Sequence, residues 1–336
     1  MARIGMIGAG SWGTALAAHL ARCGHKVEVW SIMKDETDMI NNTHQQSVKL
    51  PGVVLDDSVT ASTDLEEVMR DKDMLVLAVP SSFVRSTARS MAKYCRYGQL
   101  IVSVAKGIEE DTLLTMTEVI KQEIPHCEAA VLCGPTHAEE VGIGLPTAIV
   151  AGASRREVAE YIQSVFMGKT FRVYTSPDML GMQVGAALKN VIALAAGCSD
   201  GLGCGDNTKA ALITRGIAEI SQIGALMGGK PATFSGLTGI GDLIVTCASM
   251  HSRNRRAGIL IGKGMTADEA MKEVKQVVEG VYSAKAALQL ADKYEVEAPI
   301  IRAVNRVLFG NEAPGMAVED LMLREGKTES DDHAWE

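Results

Sequence analysis

Through the first half of the chain, short apolar runs alternate with longer amphipathic stretches. Strand-like runs fall at 3–7, 26–30, 74–79, 100–104, 130–133, 147–151 and 171–174, each brief and most of them rich in β-branched residues. Leu75-Val76-Leu77-Ala78-Val79 is apolar at every position, the pattern of a strand covered on both faces, so a mostly parallel sheet between helix layers is expected. Helical stretches separate several of these runs. Two carry a hydroxyl three residues ahead of a glutamate, Thr63 with Glu66 and Ser154 with Glu157, as capping boxes would. After Pro177 the alternation stops, and Ala, Leu, Ile and Met rich segments predict helices over 182–196, 209–227, 266–278, 283–293 and 300–308, with Thr266 and Glu269 as a further capping pair. Glycine-rich connections at 197–205 and 236–241 are either flexible surface loops or places where backbone approaches a ligand. The tail from Thr328 is polar and expected to fray.

Directly after the first apolar run stands Gly8-Ala9-Gly10-Ser11-Trp12-Gly13. Gly8 permits a sharp turn out of the strand, Gly10 leaves room for backbone to approach a pyrophosphate, and Gly13 lets the next helix sit close to the sheet. That helix, rich in Ala and Leu, would aim its free N–H groups and positive dipole end at the anion. The strand–loop–helix–strand context makes the glycines a dinucleotide signature. The expected fold class is therefore α/β: a Rossmann-type, mostly parallel sheet in an N-terminal domain of residues 1–178, followed by an all-helical domain of residues 179–336.

A length of 336 residues is room for about two domains. With 47% hydrophobic and 22% charged residues the chain is ordinary for a globular protein, and 4% aromatics implies cores of aliphatic side chains. A net charge of −8, from 33 basic and 41 acidic residues, argues against a general nucleic-acid surface, so any anion site must be local. The seven cysteines are scattered without a CxxC pair, which predicts buried free thiols, no metal site and a reducing, cytoplasmic setting. No uncharged apolar stretch reaches the ~18 residues of a bilayer span, since Lys189 interrupts the longest candidate.

Several polar residues stand where chemistry could be done. Lys106, in Val104-Ala105-Lys106-Gly107, leaves an apolar strand at the carboxyl edge of the sheet, as a surface charge or as a site residue. Cys133-Gly134-Pro135-Thr136 reaches the same edge, where Gly134 and Thr136 could offer an N–H and a hydroxyl. Lys189, in Leu188-Lys189-Asn190-Val191, is a lone cation on an apolar helix; it either snorkels to water or faces a cavity where desolvation lowers its pKa. Asp242, after Gly239-Ile240-Gly241, is either an ordinary N-cap or the partner of an ammonium group. Ser252-Arg253-Asn254-Arg255-Arg256 packs three arginines into an acidic chain and looks like a phosphate grip, with a solvated helix face as the plainer alternative.

Taken in order, the glycine loop, Val104 to Gly107, Gly134-Pro135-Thr136, Leu188 to Val191, Gly239 to Asp242, Ser252 to Arg255 and Val277-Val278-Glu279-Gly280 resemble the bacterial-type NAD(P)-dependent glycerol-3-phosphate dehydrogenases over nearly the whole chain. The resemblance implies hydride transfer between nicotinamide and dihydroxyacetone phosphate or sn-glycerol 3-phosphate, with glycerol 3-phosphate supplied for phospholipid synthesis. It implies catalytic roles for Lys189, as general acid and base, and for Lys106 and Asp242. Substrate contacts follow for Lys106, Gly134, Thr136, Lys189, Asp242, Ser252, Arg253 and Asn254. Cofactor contacts, to NAD or NADP, follow for Gly8, Gly10, Ser11, Trp12, Gly13, Lys106, Ala138, Arg253, Val277 and Glu279. Where many relatives carry Arg or His near the adenosine ribose, this chain has Trp30-Ser31-Ile32-Met33-Lys34 and no acid at the strand's end, so Ser31 and Lys34 are expected to admit NADP beside NAD. A phosphorylated small-molecule substrate and a homodimer complete the expectation. The rivals are a dehydrogenase of similar architecture for a β-hydroxyacid or ketopantoate-like substrate, and a nucleotide sensor without turnover.

Overall fold

The computed structural model describes residues 1–326, 328 and 329. Its strands are β1 (Arg3–Ile7), β2 (Lys26–Trp30), β3 (Gln45–Gln46), β4 (Leu50–Val54), β5 (Thr60–Ser62), β6 (Met74–Leu77), β7 (Leu100–Ser103), β8 (Glu128–Cys133), β9 (Thr147–Gly152) and β10 (Phe171–Ser176). Eight of them form one sheet in the order β10-β9-β8-β7-β6-β1-β2-β5, and β3 pairs with β4 in a separate hairpin. Every pairing in the large sheet is parallel except β8 with β9. Interleaved helices cover both faces: α1 (Ser11–Arg22), α2 (Lys34–Thr43), α3 (Leu65–Met69), α4 (Val84–Ala92), α5 (Met116–Glu123), α6 (Ala138–Gly142) and α7 (Arg156–Phe166). One layer of apolar core lies on each side, so β6 and β7 are buried at every position, as their unbroken apolar runs require. Strand order reverses between β1 and β6, which opens a crevice at the carboxyl ends of those strands.

From residue 179 the chain is helical: α8 (Met179–Leu202), α9 (Gly205–Leu226), α10 (Pro231–Phe234), α11 (Asp242–Ala248), α12 (Arg253–Gly262), α13 (Ala267–Val274), α14 (Glu279–Lys293), α15 (Pro299–Phe309) and α16 (Pro314–Met322). By length and composition α8 could cross a membrane, yet it is mostly buried here as the central helix of this part. It does not stop at Ala196. Gly197 and Gly201 lie inside it because α12 crosses at backbone contact: a Cβ on Gly197 would sit 2.2 Å from the Arg255 carbonyl oxygen, and one on Gly258 would sit 2.3 Å from that of Leu194. Gly197 and Gly201 thus serve helix packing, which neither reading from sequence foresaw, whereas Gly203 (φ 77°) and Gly205 (φ 83°) form the exposed turn between α8 and α9, as the surface-loop reading had it.

Other expectations shift by a residue or two. Asp64, not Thr63, caps α3, its carboxylate accepting from the Glu66 and Glu67 amides. Ser154 turns to Glu128 instead of capping α7, whereas the Thr266–Glu269 box caps α13 as expected. Helix α13 ends at Val274, where Lys275 takes a left-handed conformation (φ 58°), and 237–241 is a π-helical turn rather than an open loop. Cys127, Cys133 and Cys247 are buried, but Cys23, Cys95, Cys198 and Cys204 are only half-buried. Apart from Thr328 and Glu329, the polar tail lies outside the described residues.

Candidate active site

The glycine loop turns out of β1 through Gly8, whose φ is 123°. A Cβ on Gly13 would stand 2.1 Å from the Gly8 carbonyl oxygen and 3.2 Å from Ala78 Cβ, so only glycine lets α1 settle there. Gly10 differs, because nothing lies within 4 Å of the place its Cβ would take. Gly10 is also the N-cap of α1 and supplies no side-chain cap, with Ser11 and Trp12 opening the helix. Among the described residues, Trp12 Nε1 is buried without a hydrogen-bond partner. An open cradle, a helix N-terminus uncapped by any side chain and an orphaned indole N–H fit the pyrophosphate end of a dinucleotide.

Lys106, Asp242 and Lys189 come together from three separate parts of the chain. Lys106, just past β7, donates to Asp242 Oδ2 at 2.8 Å and to the Gly134 carbonyl at 2.9 Å, with Thr136 Oγ1 at 3.4 Å. Lys189 points from the middle of α8 to Asp242 Oδ1 at 3.0 Å and to Thr246 Oγ1 at 2.6 Å. Asp242 opens α11, one turn before Thr246, and bridges the two ammonium groups. Lys189 is 4% exposed and Asp242 1%. Burial pulls the Lys189 ammonium down to about 8, with Lys106 reinforcing it and Asp242 opposing it. Burial alone would raise the Asp242 carboxyl, but its two cationic partners hold it below the ordinary carboxylate value. A buried and a half-buried cation share one buried carboxylate, an excess of positive charge suited to an anionic substrate.

The phosphate-grip segment divides its labour. Ser252 caps α12, its hydroxyl accepting from the Arg255 N–H at 3.2 Å. Among the described residues, the half-buried Arg253 makes no hydrogen bond or ion pair, although Glu279 and Glu139 lie near enough to favour its charge. Arg255 does not join it: Asp200 at 2.7 Å and the Ala248 carbonyl at 2.8 Å turn its fork away. Asn254 donates to Asn190 Oδ1 at 2.9 Å and accepts from the Gly280 N–H at 2.8 Å, while Asn190 donates to the Lys106 carbonyl at 3.4 Å.

Glu279 opens α14, and its carboxylate is taken up by Ser81, accepting from the backbone N–H at 3.0 Å and from the hydroxyl. This clasp ties the loop after β6 to the helical part. It presses on Gly107, where a Cβ would lie 2.3 Å from that of Ser81. Val277 is half-buried just before α14, and Ala138 is buried at the start of α6. At the end of β2, Ser31 donates to Glu36 at 2.6 Å and Lys34 pairs with Asp38 at 2.5 Å, so both side chains expected to await a phosphate are engaged. Glu36 supplies an acid where the strand itself has none. Thr246, Ser81 and Glu36 escaped the sequence reading; only the four-residue spacing from Asp242 to Thr246 on one helix face would have signalled any of them.

Comparison with known proteins agrees along the whole chain. The family described as NAD-dependent glycerol-3-phosphate dehydrogenase matches through its N-terminal profile at residues 3–159 and its C-terminal profile at residues 178–319. The chain is 62% identical over 335 residues to a glycerol-3-phosphate dehydrogenase (NAD(P)+) of Agathobacter rectalis, covering 100% of both. To that of Fusobacterium nucleatum subsp. nucleatum it is 56% identical over 331 residues, covering 98% of this chain and 99% of the relative. The crystal structure of glycerol-3-phosphate dehydrogenase from Coxiella burnetii superposes with a TM-score of 0.93 at 35% identity, covering 96% of this chain and 99% of that one.

Proposed function

The chain belongs to the NAD-dependent glycerol-3-phosphate dehydrogenase family, and from that premise we propose how its own residues interconvert dihydroxyacetone phosphate and sn-glycerol 3-phosphate with NAD(P)(H). Gly8, Gly10, Ser11, Trp12 and Gly13 hold the dinucleotide's pyrophosphate end, with Ala138, Arg253, Val277 and Glu279 across the crevice. When bound, the nicotinamide supplies or accepts the hydride. Lys189 carries the proton of the substrate's C2 oxygen: it donates as charge grows on that oxygen in reduction, and receives in oxidation. Asp242 fixes Lys189 and Lys106 in register, and Thr246 fixes the rotamer of Lys189 by accepting one of its N–H bonds. Arg253 offers its guanidinium fork to the substrate phosphate, with Ser252, Asn254, Gly134 and Thr136 around it. The Lys106–Asp242–Lys189 bridge carries this reading: Lys189 and Asp242 are buried, Lys106 is half-buried, and one carboxylate between two cations leaves positive charge for an anionic substrate to meet.

Residues 1–178 act as the dinucleotide-binding domain and residues 179–336 as the substrate domain, supported by the Asp178 cap that starts α8. The product feeds phospholipid synthesis, and seven free thiols support a cytoplasmic setting. Family membership sets aside the hydroxyacid dehydrogenase and the sensor.

Steady-state kinetics of two variants separates the roles. Lys189→Ala should lower kcat by roughly 100- to 10,000-fold while cofactor binding persists. Arg253→Ala should chiefly raise the KM for dihydroxyacetone phosphate, with some loss of kcat because phosphate binding aligns the carbonyl. Near wild-type kcat in Lys189→Ala, or equal use of unphosphorylated dihydroxyacetone by the wild type, would overturn the assignment.

A further inference from the structure

We propose that Glu36, seated through Ser31 at the end of β2, discriminates between NAD(H) and NADP(H) and favours the cofactor without a 2′-phosphate; the proposal rests on the dinucleotide site read above. The Gly8 N–H donates to the Trp30 carbonyl at 2.9 Å, which holds the end of β2 against the glycine loop. In this fold the ribose next to adenine lies there, and a carboxylate beside it accepts a hydrogen bond from the 2′-hydroxyl. The strand's own end supplies none. Glu36, in the first turn of α2, reaches back instead: one oxygen accepts from the Ser31 hydroxyl at 2.6 Å and the other pairs with Lys49. Ser31 Oγ in turn accepts from the Met33 N–H at 3.1 Å, so the carboxylate is fixed in place, its side chain only 14% exposed. Next to it Ile32 is 78% exposed, an apolar surface where an adenine could rest.

Charge at this corner is already matched, Lys49 with Glu36 and Lys34 with Asp38. A 2′-phosphate would add roughly two negative charges against Glu36 and would have to draw Lys49 off its partner. A 2′-hydroxyl needs only to donate. Lys49 and Lys34 can still turn to a phosphate at that cost, so NADP(H) is disfavoured but not shut out.

Calorimetric titration of the full-length protein with ADP-ribose and with 2′-phospho-ADP-ribose reads the corner without turnover. The wild type should bind the phosphorylated nucleotide weaker by roughly 10-fold or more. Glu36→Gln keeps the shape, removes the charge and should shrink that ratio, whereas Lys49→Met removes only the neutralising cation and should widen it. Equal binding of both nucleotides by the wild type, or an unchanged ratio in Glu36→Gln, overturns the proposal and leaves the dinucleotide site standing. Binding of neither nucleotide overturns the dinucleotide site and the proposal with it.

Discussion

At Lys189, burial and the Lys106 charge work against Asp242, and the resulting ammonium gives up its proton near pH 8 instead of in the ordinary lysine range. On the proposed role of Lys189, reduction of dihydroxyacetone phosphate uses the protonated form, so kcat in that direction should fall as pH rises through about 8. Oxidation of glycerol 3-phosphate uses the neutral form and should rise over the same interval. Rapid-mixing pH profiles of both directions test the pair, and profiles that move together would contradict a single acid–base group. Lys189→Arg should lose both directions while keeping the charge, because a guanidinium does not release its proton. At this scale residue types are ambiguous on their own. A lysine on an apolar helix either snorkels to water or faces the interior, and what sets snorkelling aside here is that its ammonium meets Asp242 and Thr246 in a dry interior.

Between elements, the decisive contacts are backbone against backbone. In a free helix Gly258→Ala would gain about 1 kcal/mol of helix propensity. Here the new methyl would meet the Leu194 carbonyl oxygen at 2.3 Å, and a backbone atom within a packed helix cannot step aside. Overpacking should win by roughly 1–3 kcal/mol, lowering the urea midpoint. A variant as stable as wild type would mean that α8 and α12 have slack. A second joint is Glu219 on α9, whose carboxylate accepts from the Ile300 and Ile301 N–H groups at the start of α15. Burial pushes this carboxyl up to about 7 despite those bonds and the nearby Arg324 and Arg215. Because the folded value lies above the unfolded one, the unfolded chain releases the proton first, and the group's contribution to stability falls as pH rises from 4.5 toward 7. Glu219→Gln removes that dependence. Relative to wild type, its unfolding free energy should gain up to about 3 kcal/mol between those pH values, and a pH-independent difference would contradict a buried titrating carboxyl.

In the molecule as a whole, the crevice exists because two differently built parts are tied across it, and the Ser81–Glu279 clasp is one of the ties. Ser81→Ala leaves the Glu279 carboxylate its backbone donor but not its hydroxyl, so chemical denaturation should show roughly 1–3 kcal/mol lost. An unchanged midpoint would mean that solvent already serves that carboxylate. Sequence alone determined the α/β class, the change to helices near residue 178 and the glycine loop, since short apolar runs, apolar helices and a glycine pattern after a strand are local properties that the chain writes in order. It also supplied, by ordered resemblance of motifs, the family and the lysines and aspartate of the site. Only the tertiary structure decided that Gly197 and Gly258 serve a helix crossing, that Arg255 is spent on Asp200 while Arg253 makes no hydrogen bond or ion pair among the described residues, and that Glu36 reaches back to Ser31 at the end of β2. Those facts depend on which atoms meet across long stretches of chain, or on where a side chain turns once its neighbours are fixed, and neither periodicity nor spacing encodes such meetings.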